Sequence, residues 1–439
     1  MSHLRRTLGL SDLILFNLAA VIGIRWLAAA AHTGPGALSL WVLAAALFFV
    51  PSALAVAALS TRFPEEGGIY VWTKYSFGEW HGFLCGWCYW LSNLFYFPNL
   101  LLAGVGMVGQ ALGFGENQRG IVTASLAILW LVLIANLVGL KVGKWVNNIG
   151  GMATYAAGAL IVAAGLAVWL RQGSASPFVP LLPRWDWEKV NFWSQIAFAF
   201  GGLELGAILG GEIRNPQRTV ARAAWISGLA IAAFYIAGTA AMLVLLRPER
   251  ISVLTGLIQA SESAAARLGY ASLGWLLTLL VLAGVAGQLG AWISGSARIP
   301  FVIGLDRHLP HTFAQLHPRW GTPHWSLLYQ GAACTVFLVA LQLGENLRTG
   351  YQLLVDMTVI TYFIPFAYLF AASWKFGRRL SAACGLGVTL MAIAVSLVPP
   401  GGAASAWLVE LKLCGGCALL IGSARLCFRR GKPAAVRSL

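Results

Sequence analysis

The sequence predicts an all-α integral membrane protein, and three observations predict it. Of the 439 residues, 59% are hydrophobic and only 10% are charged, against about 25% charged in ordinary soluble domains. Mean hydropathy is +0.75, which leaves too little polar surface to cover a globule of this size. Apolar stretches of about 20 residues, the length that crosses a bilayer core, recur along the whole chain. The 50 glycines and 19 tryptophans fit packed membrane helices with aromatic belts at the interfaces.

Twelve spans are expected, joined by short connections with no room for a soluble domain. The first, 9–32, follows Arg5 and Arg6 and runs into Arg25; it shows no convincing cleavage site, so it is read as a span and not as a removed signal peptide. Next come 36–61, 80–112 and 121–140, the last free of any charge, and then 145–170. The second group is 191–211, 219–246, 270–304, 324–343 and 350–373. Two further spans, 380–398 and 405–427, precede a short basic tail at 428–439. The whole of 1–439 is therefore expected to be one transmembrane domain.

Charge orients these spans. With both termini inside, 20 of the 30 Lys and Arg residues fall on the cytoplasmic side and 9 outside, with Arg25 inside a span. That bias fits an even number of spans with cytoplasmic N- and C-termini. The net charge of +15 is thus a topology signal, and no nucleic-acid partner is expected. Cys85 and Cys88, like Cys414 and Cys417, lie within apolar spans and read as small hydrophobes. His308, His311, His317 and His324 share one loop but match no metal-ligand spacing. Neither a metal nor another cofactor is expected.

Ionisable groups inside spans are costly and mark candidate sites. Arg25 and Glu204 lie roughly mid-span, whereas Asp356 is expected near the outer surface, where water can solvate it. Arg25 and Glu204 form either a structural ion pair or part of a water-filled cavity. Glycine placement favours the cavity: Ile22-Gly23-Ile24-Arg25 sits in the first span, and Phe198-Ala199-Phe200-Gly201-Gly202-Leu203-Glu204 in the sixth. Glycine weakens a helix by about 1 kcal/mol relative to alanine, so both helices are expected to break. Gly-interrupted spans five apart indicate an inverted-repeat transporter, with repeat one at about 9–170 and repeat two at about 191–373. Broken helices expose amide N–H groups at one end and carbonyls at the other, a site suited to a zwitterion.

Longer motifs carry a family resemblance. Phe63-Pro64-Glu65-Glu66-Gly67-Gly68-Ile69-Tyr70-Val71-Trp72, with Phe77-Gly78 and Gly82 through Trp87, resembles the second-to-third-helix signature of amino acid–polyamine–organocation permeases. The segment Glu212-Ile213-Arg214-Asn215-Pro216-Gln217-Arg218 resembles the same family's exit from its sixth helix. Ala291-Trp292 through Asp306-Arg307-His308-Leu309-Pro310 and Gly321-Thr322-Pro323 match as well. The resemblance implies a twelve-helix carrier in the cell membrane with the leucine-transporter-type (LeuT-type) 5+5 inverted repeat, broken helices 1 and 6, and alternating access.

It also implies roles. Phe198 and Trp292 match aromatics that cover and line the substrate pocket, and Glu204 matches an acidic residue of pH response and gating. Ile22, Gly23, Ile24, Arg25, Phe198, Ala199, Phe200, Gly201, Gly202 and Trp292 are then the expected substrate-binding positions. Family members often carry Gly-Ser-Gly or Gly-Ala-Gly in the first span; this chain keeps only Gly23 and places Arg25 where a hydrophobic residue is usual. A guanidinium, which can hold a carboxylate bidentately, thus stands in for backbone amides. Some proton-coupled relatives use a lysine within the fifth span, and Asn147 to Leu170 contains none.

The expected function is a secondary active transporter, exchanger or proton symporter, for amino acids or related amines. The alternative is a transporter-like sensor that binds the same ligand without flux. A membrane enzyme would need a reactive constellation near one face, and the sequence offers none. Monomer and homodimer are both compatible with the sequence.

Overall fold

The computed structural model describes residues 7–115, 117–182, 196–253, 255–270, 272–340 and 347–397, with 411, 415, 418 and 421–428 near the end. The described residues form helices and turns, with a single isolated bridge between Leu8 and Ile213. Most of the expected twelfth span, the first residues of the sixth and the basic tail beyond 428 lie outside the described residues.

The first span is two helices, α1 (Leu10–Val21) and α2 (Arg25–His32), bent by 46° across residues 22–24. Then follow α3 (Gly36–Arg62), α4 (Ile69–Phe77), α5 (Glu79–Leu112), α6 (Gln118–Leu137) and α7 (Leu140–Gln172). The sixth span appears as residues 196–199, a turn at 200–202, and α8 (Leu203–Ile208). After it come α9 (Pro216–Leu245), α10 (Gly256–Leu268), α11 (Ser272–Ser296), α12 (Arg298–Leu305), α13 (His324–Ala340), α14 (Leu347–Lys375) and α15 (Arg379–Ser396). Among the described residues, eight helical stretches are long and apolar enough to cross a membrane, and nine if the bent α1–α2 pair is one span.

Burial places these helices. In its most apolar stretch α5 is 94% buried, so it runs through the middle of the bundle. The corresponding figure is 39% for both α6 and α15, which keep one face for lipid. Two helices were not expected from the sequence, α4 and α10, because nine and thirteen residues fall short of a spanning run. In α10 an apolar face is buried, Leu257, Ile258, Ala260 and Ala264, whereas α4 buries its whole first turn, Ile69, Tyr70, Val71 and Trp72.

Local chemistry explains the irregularities. Within α3, residues Ala45–Phe49 form a π-helical segment just ahead of Pro51. Proline supplies no N–H to the preceding turn, so the ladder widens there. The widened turn carries Phe48 onto Phe363 and Phe366, and Phe49 onto Phe200. Where α7 meets α11, Gly150 and Gly287 touch backbone to backbone. A Cβ on Gly150 would lie 2.3 Å from the Gly287 Cα, so only glycine permits this helix spacing.

Candidate functional site

The two breaks lie side by side and are stitched by one side chain. At the first, Ile22 leaves the helix in an extended conformation, with ψ 101°, and Gly23 follows. At the second, Gly202 adopts a φ of 118°, open to glycine but strained for other residues. Tyr235 of α9 bridges them. The Gly23 N–H donates to its Oη at 3.1 Å, and that hydroxyl lies 2.8 Å from the Val21 carbonyl and 3.0 Å from the Ala199 carbonyl. From α11, the Trp292 indole N–H and the Gln288 amide both donate to the Ala20 carbonyl, at 2.7 and 3.2 Å. Side chains therefore engage several of the backbone groups freed by the breaks.

Between the breaks lies a small cavity. Backbone of the two breaks forms one side, through Ala20, Val21, Ala199 and Gly201, and rings form the other: Trp26, Tyr96, Phe198, Trp292 and Tyr362. The rings hold one another edge-on or tilted. Phe198 sits 5.9 Å from Trp26 and 5.1 Å from Tyr362 between ring centroids, and Trp292 sits 5.0 Å from Tyr96.

Of the positions expected from the sequence, Phe198, Ala199, Gly201 and Trp292 line this cavity. Ile22, Gly23, Ile24 and Gly202 form the breaks beside it without reaching its wall. Phe200 points elsewhere, packing on Trp41, Phe49 and Tyr235. Glu204, 1% exposed, joins the cavity through Tyr362: Oε1 accepts from the hydroxyls of Tyr89 at 2.8 Å and Tyr362 at 2.6 Å, and Oε2 accepts from the Gly202 N–H at 3.1 Å.

The structure decides between two alternatives for Arg25 and corrects one expectation. Arg25 and Glu204 do not pair. Arg25 Nη1 donates to the Asn99 side-chain oxygen, and its guanidinium lies 4.5 Å from the Trp26 ring centroid and 5.4 Å from that of Tyr96. Its Nε and Nη2 have no hydrogen-bond partner, although Arg25 is only 4% exposed. The tyrosines satisfy Glu204 instead, which removes the need for a cation. Asp356 is also not solvated. It is 4% exposed, because α14 is buried on most of its surface there.

Sequence reasoning missed Tyr89, Tyr96, Asn99, Tyr235 and Tyr362. A signal existed on α5: Tyr89, Tyr96 and Asn99 recur at i, i+7 and i+10, one polar-tipped stripe on an apolar helix. Tyr235 and Tyr362 sit singly in apolar helices and give no such pattern. Among the described residues no group of three His, Cys, Asp or Glu side chains comes together as a metal site. Cys85 and Cys88 are buried; Cys414 and Cys417 lie outside the described residues.

A multi-pass helical bundle with two broken helices around a small aromatic cavity is the architecture of a membrane transporter. The family model for amino acid permeases matches residues 8–407, and the chain belongs to that family. It is 28% identical over 386 residues to an uncharacterized transporter of Legionella pneumophila, covering 85% of this chain and 82% of that one. It is 26% identical to the serine/threonine exchanger SteT of Bacillus subtilis, over 86% of this chain and 84% of SteT. A probable agmatine/putrescine antiporter of Lactococcus lactis, AguD, is 22% identical over 76% of this chain and 72% of its own. The resemblance read from the sequence motifs is thereby established.

Proposed function

We propose that this permease is a secondary active transporter that carries amino acids or closely related amines across the cell membrane by alternating access. The observation that carries the reading is the cavity held between two adjacent helix breaks. Family membership and the exchange activities named for SteT and AguD support it. In this reading the bundle has twelve spans in a LeuT-type 5+5 repeat, with both termini cytoplasmic. Substrate lies in the cavity against Ala199 and Gly201, beside the breaks that Ile22, Gly23, Ile24 and Gly202 form, and Arg25 contacts its carboxylate or sets the local field. Phe198 and Trp292 gate the cavity. Glu204 couples gating to protonation, since it fastens rings of two other helices, Tyr89 of α5 and Tyr362 of α14.

Radiolabelled uptake into proteoliposomes tests this. Accumulation of at least one standard amino acid is expected, and preloading the vesicles separates exchange from proton symport. Binding without accumulation would make the protein a sensor and overturn the transport reading. Glu204→Gln should flatten the pH dependence of uptake while leaving folded protein in place. An unaltered pH profile would remove Glu204 from coupling.

A further inference from the structure

Two observations about the breaks point the same way. Four backbone groups at the breaks are already occupied: Tyr235 engages Gly23, Val21 and Ala199, and Trp292 with Gln288 engages Ala20. Arg25, beside the cavity, carries unused side-chain hydrogen-bonding capacity. Its Nε–H and Nη2–H meet no acceptor, it is 4% exposed, and it forms no ion pair with any described acid. Trp26 and Tyr96, the rings packed on its guanidinium, are both walls of the cavity, so the charge stands one ring away from that space. Arg25 also opens α2, whose N-terminal end carries partial positive charge of the same sign.

A buried guanidinium without a counter-ion is a high-energy arrangement, relieved by an anion that fits its fork. The Nε–Nη2 edge presents two parallel N–H groups, the spacing of a carboxylate's two oxygens. A ligand lacking a carboxylate leaves that edge unmet, and one bearing only ammonium groups adds like charge in a medium of low dielectric. We propose that the cavity accepts only substrates bearing a carboxylate, anchored bidentately on Arg25 between the Trp26 and Tyr96 rings, and rejects the decarboxylated amines. The proposal rests on the substrate site described under the proposed function and narrows its class from amino acids or amines to carboxylates.

The test compares each standard amino acid with the amine that differs from it only by loss of the carboxylate, such as arginine with agmatine and ornithine with putrescine. Binding is measured by thermal shift and competition on the purified full chain. At least one amino acid should bind about 100-fold or more tighter than its amine, or about 3 kcal/mol at 1.4 kcal/mol per tenfold. Any amine binding within about tenfold of its parent would overturn the proposal, as would binding by no amino acid at all. Arg25→Gln should reduce the discrimination to below about tenfold and Arg25→Lys should recover part of it. Full discrimination in Arg25→Gln would also overturn the anchor. If Arg25→Gln fails to fold, the wild-type pairs decide alone. Binding of amino acids but not amines, without flux into vesicles, would sustain the carboxylate rule while sinking transport. Flux of amines would sink the rule and leave transport standing.

Discussion

Tyr235 has the most consequential single contact in the site after Arg25. One phenol serves three backbone groups on two different helix breaks, so it fixes the distance between the two halves of the cavity. Removing the hydroxyl leaves the Gly23 N–H and the Val21 and Ala199 carbonyls buried without that partner. Each unmet buried group is worth roughly 1–3 kcal/mol. Tyr235→Phe keeps the ring stacked on Trp41 at 4.3 Å and removes only the oxygen. A lower melting temperature in detergent is therefore expected, and a variant that melts with the wild type would show that the stitch does not hold the breaks. At this scale the sequence was partly legible. Arg25 and Glu204 stand out because charge is rare in apolar spans, and their locations beside the breaks follow from the glycines. Their partners do not follow, because a tyrosine in an apolar helix looks like any packed aromatic until a second helix is placed against it.

At the scale of elements, the ends of several helices converge on one arginine. Backbone hydrogen bonds tie the chain ahead of α1 to the chain after α8, with Leu8 N donating to Glu212 O at 3.0 Å and Arg214 N to Leu8 O at 2.9 Å. Arg298, opening α12, donates to Glu212 Oε1 from Nε at 2.9 Å and from Nη2 at 2.8 Å, and lies 3.7 Å from Glu66 in the turn between α3 and α4. Glu66 in turn accepts from the Gly211 N–H at 2.9 Å. One guanidinium thus serves two carboxylates. Burial first, and then the neighbouring Glu212 charge, push the Glu66 carboxyl up to about 8, against the opposing pull of Arg298 and the Gly211 amide. The folded protein then holds a proton on Glu66 that the unfolded chain has released. Stability from this group is full below the ordinary carboxylate range and is lost as pH rises toward about 8. Glu66→Gln should melt at a higher temperature than the wild type at alkaline pH and show a shallower decline between about pH 5 and about pH 8. Parallel melting curves across that range would show that Glu66 is ionised throughout. The motif containing Glu66 was visible in the sequence, whereas its meeting with Glu212 and Arg298, far apart along the chain, needed the fold.

For the whole molecule, apolar length reads well from sequence and short helices do not. The long runs reappear within a few residues of their expected ends, as with 80–112 against Glu79–Leu112 and 219–246 against Pro216–Leu245. The bend in the first span falls at the expected Gly23, since weak helix propensity and the extended Ile22 coincide there. The short helices α4 and α10 stayed hidden because they are held by packing and not by membrane thickness. Orientation belongs to this scale too, because it comes from the sum of charges and not from any one contact. The basic excess predicts that the turn at 246–255, between α9 and α10, faces outward, and that the segments at 306–323 and 376–378 face the cytoplasm. Fusions of alkaline phosphatase and of a green fluorescent protein after Arg250, after Arg319 and after Arg378 read this directly, since the first enzyme is active only outside and the second folds only inside. Phosphatase activity is expected after Arg250, and fluorescence after Arg319, after Arg378 and at the C-terminus. The reverse pattern would invert the orientation. A C-terminus opposite to the segment at 376–378 would leave an odd number of spans beyond it, which the twelve-span reading does not permit.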